Sequence, residues 1–352
     1  MLRSLALCGA LVSLAAGCSS ASGAAAAATG ADAGEAGAAT QVIEIDEGTF
    51  TVQPGQEVVY CMRIPMPAAF QGRDLALTGW DSNIIAPMHH YFMFYDTTPT
   101  SGTEPVPCEP TPDGGVPGEV PAASAGLNLF SMGVIIFVAG TGTDSYRSNA
   151  GYGAVLQSNG TFVTNHHVIN PTAQPITVGA TFKLEVADAA SIAHPTQALS
   201  CQTIDINLPA QAATDVTATC LAPFDLDIVT MSSHAHQDLM TFETQMYDGT
   251  QTQPTVLYTS TQWESPVVQQ LTPPLHLMAG QGLTFTCHYM NATDATIGFG
   301  LGATDEMCAS MNQYAYPVNK PNQVPPALGV SVTSNATPST LGNTAGSVIP
   351  LF

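Results

Sequence analysis

The sequence predicts an all-β fold of the β-sandwich or jelly-roll kind, and three observations carry that prediction. Short runs rich in Val, Ile, Thr, Phe and Tyr recur from about residue 41 onward. Turn signals such as Pro54-Gly55, Asn159-Gly160 and Gly280-Gln281-Gly282 separate them. No long segment shows a capped apolar period of 3.6 residues. The runs are Glu57 to Ile64, His89 to Tyr95, Thr161 to Ile169, Ala180 to Val186, Asp225 to Met231 and Gly282 to Tyr289. β-Branched and aromatic side chains pack well on a pleated, half-buried surface, and many short strands with regular turns make sandwiches or jelly rolls.

The chain has 352 residues, enough for two ordinary domains. It is 45% hydrophobic and only 9% charged, which excludes an acidic disordered chain. Its net charge is −21 with six Lys and Arg in all, so no basic patch for nucleic acid can form. A Pro-rich stretch runs from Thr97 to Pro121. The segment Asp188 to Pro195 reads as a junction between two domains, and residues 319–352 as a Pro/Asn/Ser-rich tail, wrapped on the surface or disordered. No internal sequence repeat is evident.

At the N-terminus, Arg3 precedes an apolar run from Leu5 to Leu14, followed by Leu14-Ala15-Ala16-Gly17-Cys18. The run is too short to span a bilayer and reads as a secretory signal. Its ending resembles the lipobox of bacterial lipoproteins, which implies cleavage before Cys18 and lipidation of that residue. Ser19 in the next position implies the outer membrane. Residues 1–18 are thus expected to be a lipoprotein signal, and the only membrane association expected is this anchor. Residues 19–40 are nearly all Ala, Gly, Ser and Thr, with glycines interrupting any helix. They read as a flexible tether of about 25 Å reach.

Of eight Cys, Cys8 leaves with the signal and Cys18 is lipidated; Cys61, Cys108, Cys201, Cys220, Cys287 and Cys308 remain. An even number in an exported protein reads as three disulfides, with fifteen pairings open. The spacing of Cys201 and Cys220 fits two neighbouring strands, so these two are expected to pair. None of the six forms a close metal-ligand pair, which argues against a zinc-thiolate site.

The nine histidines cluster. His234 and His236 flank Ala235; on a strand, positions i and i+2 share a face about 6.5–7 Å apart, so both rings can meet one metal ion. His89-His90 opens a strand-like run, but neighbours on an ideal strand face opposite ways. That pair can share an ion only at a bend, at a strand end or through different ring nitrogens. His166-His167 ends another run. His194, His276 and His288 stand alone and read as structural or surface residues. Met88, Met93, Met231 and Met290 read as core. Asn159-Gly160-Thr161, Asn291-Ala292-Thr293 and Asn335-Ala336-Thr337 match a glycosylation pattern that a bacterial lipoprotein would not use.

The segment Gly298-Phe299-Gly300-Leu301-Gly302-Ala303-Thr304-Asp305-Glu306-Met307-Cys308 resembles the copper-ligating Met segment of the type II, ascorbate-dependent copper monooxygenases, the family of peptidylglycine and dopamine hydroxylases. His89-His90-Tyr91-Phe92-Met93 is similar to that family's paired-His strand. His167-Val168-Ile169-Asn170-Pro171 is similar to its His-aromatic-x-Asn-Pro segment, with Val168 in the aromatic place; this register assigns His167 rather than the adjacent His166. Val59-Tyr60-Cys61-Met62-Arg63-Ile64-Pro65 is similar to its early Cys strand. The segments occur in family order over about residues 41–317.

The resemblance implies two tandem jelly-roll β-sandwich domains, expected at 41–189 and 190–318, with a cleft between them. It implies two coppers per chain. His89, His90 and His167 would hold the electron-transfer copper, and His234, His236 and Met307 the copper where O2 binds and a substrate C–H bond is broken. It also implies ascorbate or a similar reductant, and the pairs Cys61–Cys108 and Cys287–Cys308. Imidazole suits copper, and a thioether favours Cu(I) and disfavours zinc.

The substrate is a small or peptide-like molecule that the sequence does not identify. Peptide-amidating members carry an Arg two residues before the His-x-His and an Asn and a Tyr after the Met-Cys pair. Here these positions are Ser232, Ala309 and Met311, which points away from a peptide carboxylate and toward a neutral or apolar substrate. Two other readings stay open: a copper-binding surface lipoprotein without turnover, and a zinc hydrolase on His234 and His236 with Asp238 as base. That all six ligand positions are filled favours the enzyme.

Overall fold

Alternation between inward apolar and outward polar side chains is the period-2 signature of a strand. β1 (Gln41–Val52) buries Ile43, Ile45 and Val52 and exposes Val42, Glu44 and Asp46. The computed structural model describes residues 40–85, 88–97, 106–107, 119–120, 134–139, 142–300, 302, 304–316 and 332–337. The signal and tether segments, the lipidation site Cys18 and Cys108 lie outside the described residues.

After β1 come β2 (Glu57–Pro65), β3 (Leu75–Ile85), β4 (Met88–Asp96), β5 (Val106–Pro107), β6 (Glu119–Val120), β7 (Val134–Ala139), β8 (Gly142–Arg147), β9 (Tyr152–Leu156), β10 (Thr161–Ile169) and β11 (Ile176–Asp188). A 3-10 turn at Ala189–Ser191, capped by the Asp188 carboxylate accepting from the Ala190 N–H, leads into the second set. That set is β12 (His194–Thr203), β13 (Asn207–Leu208), β14 (Ala212–Leu221), β15 (Leu226–Ala235), β16 (Leu239–Tyr247), β17 (Thr252–Ser260), β18 (Gln269–Leu277), β19 (Gly282–Asn291), β20 (Ile297–Gly298), β21 (Cys308–Ala315) and β22 (Val332–Thr337). Five of the six predicted runs lie inside strands. Asp225 to Met231 starts one residue before β15, which continues to Ala235.

The strand order identifies each half as a jelly roll. In the first half one sheet runs β1-β11-β3-β9 and the other β2-β10-β4-β7; in the second half the orders are β12-β21-β15-β18 and β14-β19-β16-β17. Counting eight main strands per half, both have the first, eighth, third and sixth in one sheet and the second, seventh, fourth and fifth in the other. This is the jelly-roll wiring repeated. The tail adds β22 to the edge of β14, so part of the predicted wrapping segment is a strand. The two halves share one sheet, because β12 pairs in parallel with β9 at His194–Tyr152, Pro195–Gly153 and Thr196–Ala154.

Each sandwich has its own core. The first packs Ile43, Val52, Phe162, Phe182 and Leu184 between its sheets; the second packs Leu226, Met231, Phe242, Phe285 and Tyr314. Two disulfides, Cys201–Cys220 and Cys287–Cys308, each with Cα atoms 6.1 Å apart, staple the two sheets of the second sandwich. Cys201 and Cys220 thus sit on consecutive strands in opposite sheets, not side by side in one. Cys61 is disulfide-bonded.

The outer face of β2-β10-β4-β7 is also covered. Cys61, Phe92, Phe94 and Val163 form a small apolar cluster that reaches Met311 of β21. The β2-β10-β4-β7 sheet of the first half therefore faces the β12-β21-β15-β18 sheet of the second. This arrangement buries both faces of β10, whose eight residues Thr161–Val168 are all inaccessible.

Candidate functional site

His234 and His236 lie where β15 runs out. β15 and β21 pair antiparallel, with His234 opposite Ala309 and Ala235 opposite Cys308. Carrying that register one step past both strand ends sets His236 opposite Met307. The two imidazoles stand edge to face with ring centroids 5.5 Å apart. Both Nε2 atoms are buried, and so is Met307.

Glu306 clamps this corner. Its Oε2 accepts from the backbone N–H of His236 at 3.0 Å and of Met307 at 3.3 Å, and its Oε1 accepts from the Asp238 N–H at 2.8 Å. The carboxylate is fully buried, and burial pushes its pKa up to about 7 against the opposing pull of those N–H donors. The Tyr289 hydroxyl donates to the Met307 carbonyl at 2.6 Å, and the disulfide to Cys287 holds the residue after Met307.

The His236 ring is held in one tautomer. Its Nδ1 lies 2.8 Å from the Asp305 carbonyl oxygen. A carbonyl only accepts, so the proton sits on Nδ1 and the lone pair on Nε2. Burial pushes the pKa down to about 4, outweighing the Asp305 carbonyl. The ring is neutral near pH 7, the form that ligates a metal.

On the facing sheet, β10 sends its two histidines to opposite sides. His166 points into the first core, edge-on to Tyr91 at 4.5 Å and Tyr60 at 5.5 Å. Its Nε2 lies 2.5 Å from Glu47 Oε2, a close buried contact outside hydrogen-bond alignment. His167 points the other way, with Nε2 2.6 Å from Glu57 Oε1. By strand alternation His167 shares the face of Val163, whose cluster reaches Met311 of the second half.

The side chains of His89 and His90 lie outside the described residues, but the backbone register is informative. His167 pairs with His90 and Val168 with Met88, which leaves His89 as the extra residue of a bulge. A bulge breaks the strict alternation that sends neighbours to opposite faces, removing the objection that an adjacent pair cannot share an ion.

Among the described residues no three His, Cys, Asp or Glu side chains form a metal-holding group. The predicted second site has a thioether as third donor, and two histidines of the first have undescribed side chains. The remaining histidines have structural roles: His276 pairs with Asp227 and His288 with Asp215, both at 2.8 Å, and His194 stacks on Tyr152. Met93 and Met231 are core as expected, whereas Met290 is 42% exposed, because it falls on the solvent face of β19. Asn291 is fully buried.

Sequence reasoning missed Glu57, and it quoted Glu306 without a role. An acidic residue next to a motif was the only available signal, and it does not say which backbone it holds. It also missed Phe92, which meets the His234 ring edge to face at 5.6 Å. From His234 a cleft of about 800 Å³ opens between β7 of the first half and β12, β15 and β21 of the second.

Residues 188–330 match the family described as copper type II ascorbate-dependent monooxygenase, C-terminal domain. No curated protein matches the chain. The matched span contains His234, His236, Glu306, Met307 and both stapling disulfides. The second half of this chain is accordingly a member of the copper type II ascorbate-dependent monooxygenase C-terminal domain family.

Proposed function

We propose that the chain hydroxylates a substrate C–H bond with O2 and an ascorbate-type reductant, using two separate mononuclear copper sites. His234, His236 and Met307 form the reacting site, and His89, His90 and His167 the electron-transfer site. The observation that carries this reading is the corner where the β15–β21 register and the Glu306 clamp bring His236 beside Met307, with His167 turned toward it from the other half.

The donor set fits copper. His236 offers a neutral Nε2, and Met307 offers a soft thioether suited to Cu(I). His167 has one ring nitrogen engaged by Glu57, and such a carboxylate fixes ring orientation. Copper, when bound, supplies one-electron redox chemistry and a place for O2. The chain's own residues do the rest. Glu306 and Tyr289 fix the backbone that carries the ligands, the Asp305 carbonyl fixes the His236 tautomer, and the cleft at His234 admits substrate.

Copper content per chain tests the reading. Two coppers are expected, falling to one in Met307→Ala or His236→Ala, together with ascorbate-dependent O2 uptake. One copper or none in the intact protein would overturn the two-site mechanism.

We propose also that the protein is exported and held at a bacterial outer membrane by a lipid on Cys18, after cleavage of residues 1–18. Residues 19–40 would tether the body, with domains at 41–189 and 190–318 and the tail at 319–352. The Leu14-Ala15-Ala16-Gly17-Cys18 segment supports this. Labelled fatty acid should enter the wild type and not Cys18→Ala; equal labelling would contradict it.

A further inference from the structure

The cleft beside His234 has a composition that limits what can occupy it. Trp80, Ile135 and Val138 from the first half and Met311 from the second give it apolar wall, and Ser200, Asn312 and Gln313 are among the polar side chains that also line it. It is open to solvent at its mouth. Ser232 and His234 line the floor, and Ser232 sits directly opposite Met311 in the β15–β21 register.

Among the described residues no Lys or Arg lines this cleft. Its charged lining residues are Asp144 and Glu264, both acidic and both exposed. Arg147, on the same strand as Asp144, is turned to Asp81 at 2.9 Å and Glu185 at 3.0 Å. An anion entering the cleft would therefore pass two carboxylates and lose its hydration with no described side-chain cation to meet it. Burial of an unpaired charge is strongly unfavourable. A neutral molecule pays neither cost and gains the apolar walls, with the Ser232 hydroxyl available for one hydrogen bond.

We infer that this cleft is the reactant pocket and that it selects an uncharged, largely apolar organic molecule, with Ser232 and Met311 setting that preference. The inference rests on the reading of His234 as a ligand of the reacting copper. Ala309, the third position that distinguishes this chain from the peptide-amidating pattern, is buried and does not line the cleft, so it takes no part in the selection.

The test is titration calorimetry on the full chain, with and without a copper chelator, using three probes of one shape: 4-phenylbutan-1-ol, 4-phenylbutanoate and 4-phenylbutan-1-amine. The alcohol is expected to bind at least about tenfold more tightly than the carboxylate and no more weakly than the amine. Ser232→Arg should reverse the alcohol–carboxylate order, while Ser232→Gln, of similar polarity but uncharged, should keep it. Saturable binding led by the carboxylate or by the amine, or no saturable binding of the alcohol, overturns the proposal in the wild type alone, whether or not the variants fold. Because the readout needs neither copper nor turnover, the two readings fail separately. A protein that holds two coppers but ranks the carboxylate first sinks only this inference. One that ranks the alcohol first but holds no copper sinks the monooxygenase reading.

Discussion

Glu306 holds three backbone N–H groups around one buried carboxylate, and two of them belong to His236 and Met307. Removing it leaves those donors buried and unpaired, so Glu306→Ala should lower stability by about 3 kcal/mol in denaturant unfolding. It should also cost the second copper, while Glu306→Gln retains part of both. A variant with full stability and two coppers would show that the clamp is dispensable. Glu57 Oε1 lies 2.6 Å from the His167 ring, a ligand of the proposed first site. Glu57→Gln should weaken the first copper by roughly 10–100-fold in a competition titration, leaving the second unchanged, as expected for loss of a carboxylate that orients a ligating ring. Equal affinity in the variant would remove Glu57 from the site. His166 shows why neighbouring residues of one type need not share a role. It is committed to Glu47 and the tyrosines of the core, and only His167 faces outward.

At the scale of elements, the two jelly rolls repeat a local device that the residue pattern barely discloses. Asn170, just after β10, donates through Nδ2 to the carbonyls of Val52 at 3.0 Å and Gln174 at 2.8 Å, and accepts through Oδ1 from Thr172 N–H and hydroxyl. Asn291, at the end of the equivalent strand β19, donates to Leu208 at 2.9 Å and Ala295 at 2.8 Å, and accepts from Thr293 in the same way. Both side chains are fully buried. Each closes the loop after the seventh strand onto an earlier segment. Asn170→Ala and Asn291→Ala should each cost about 2 kcal/mol, read by chemical denaturation, because buried carbonyls lose their donor. A loss confined to one of them would mean the loops are not equivalent. The same pairing places a histidine three residues before each asparagine, yet His167 faces the other half whereas His288 pairs with Asp215 beside solvent.

For the whole molecule, β9–β12 pairing makes one sheet continuous through both sandwiches, and the Cys61, Phe92, Phe94 and Val163 cluster packs on the second half. The sandwiches should therefore unfold together. Calorimetry of the full chain is expected to give one transition whose calorimetric and van't Hoff enthalpies agree; two resolved transitions would contradict a shared sheet as the coupling element. This coupling also explains why the site lies where it does. The candidate ligands on β10 and at the ends of β15 and β21 can face each other only because the β2-β10-β4-β7 sheet of one half is laid against the β12-β21-β15-β18 sheet of the other.

The sequence by itself determined the all-β class, because runs of β-branched and aromatic residues and Gly/Pro/Asn turns are local and need no partner to be read. It also offered the candidate donors, His-x-His and Asp-Glu-Met-Cys, through a resemblance. Met307 was legible because a methionine between an acidic residue and a cysteine matched a known pattern, not because its geometry could be foreseen. Tertiary structure alone decided the rest. The bulge at His89 is a register shift between strands far apart in sequence. The Glu306 clamp depends on β15 and β21 being neighbours, though about seventy residues separate them along the chain. The staples join opposite sheets, and the apolar, acid-mouthed cleft is lined from both halves. These features are long-range, and local propensity carries no information about which strand will lie beside which.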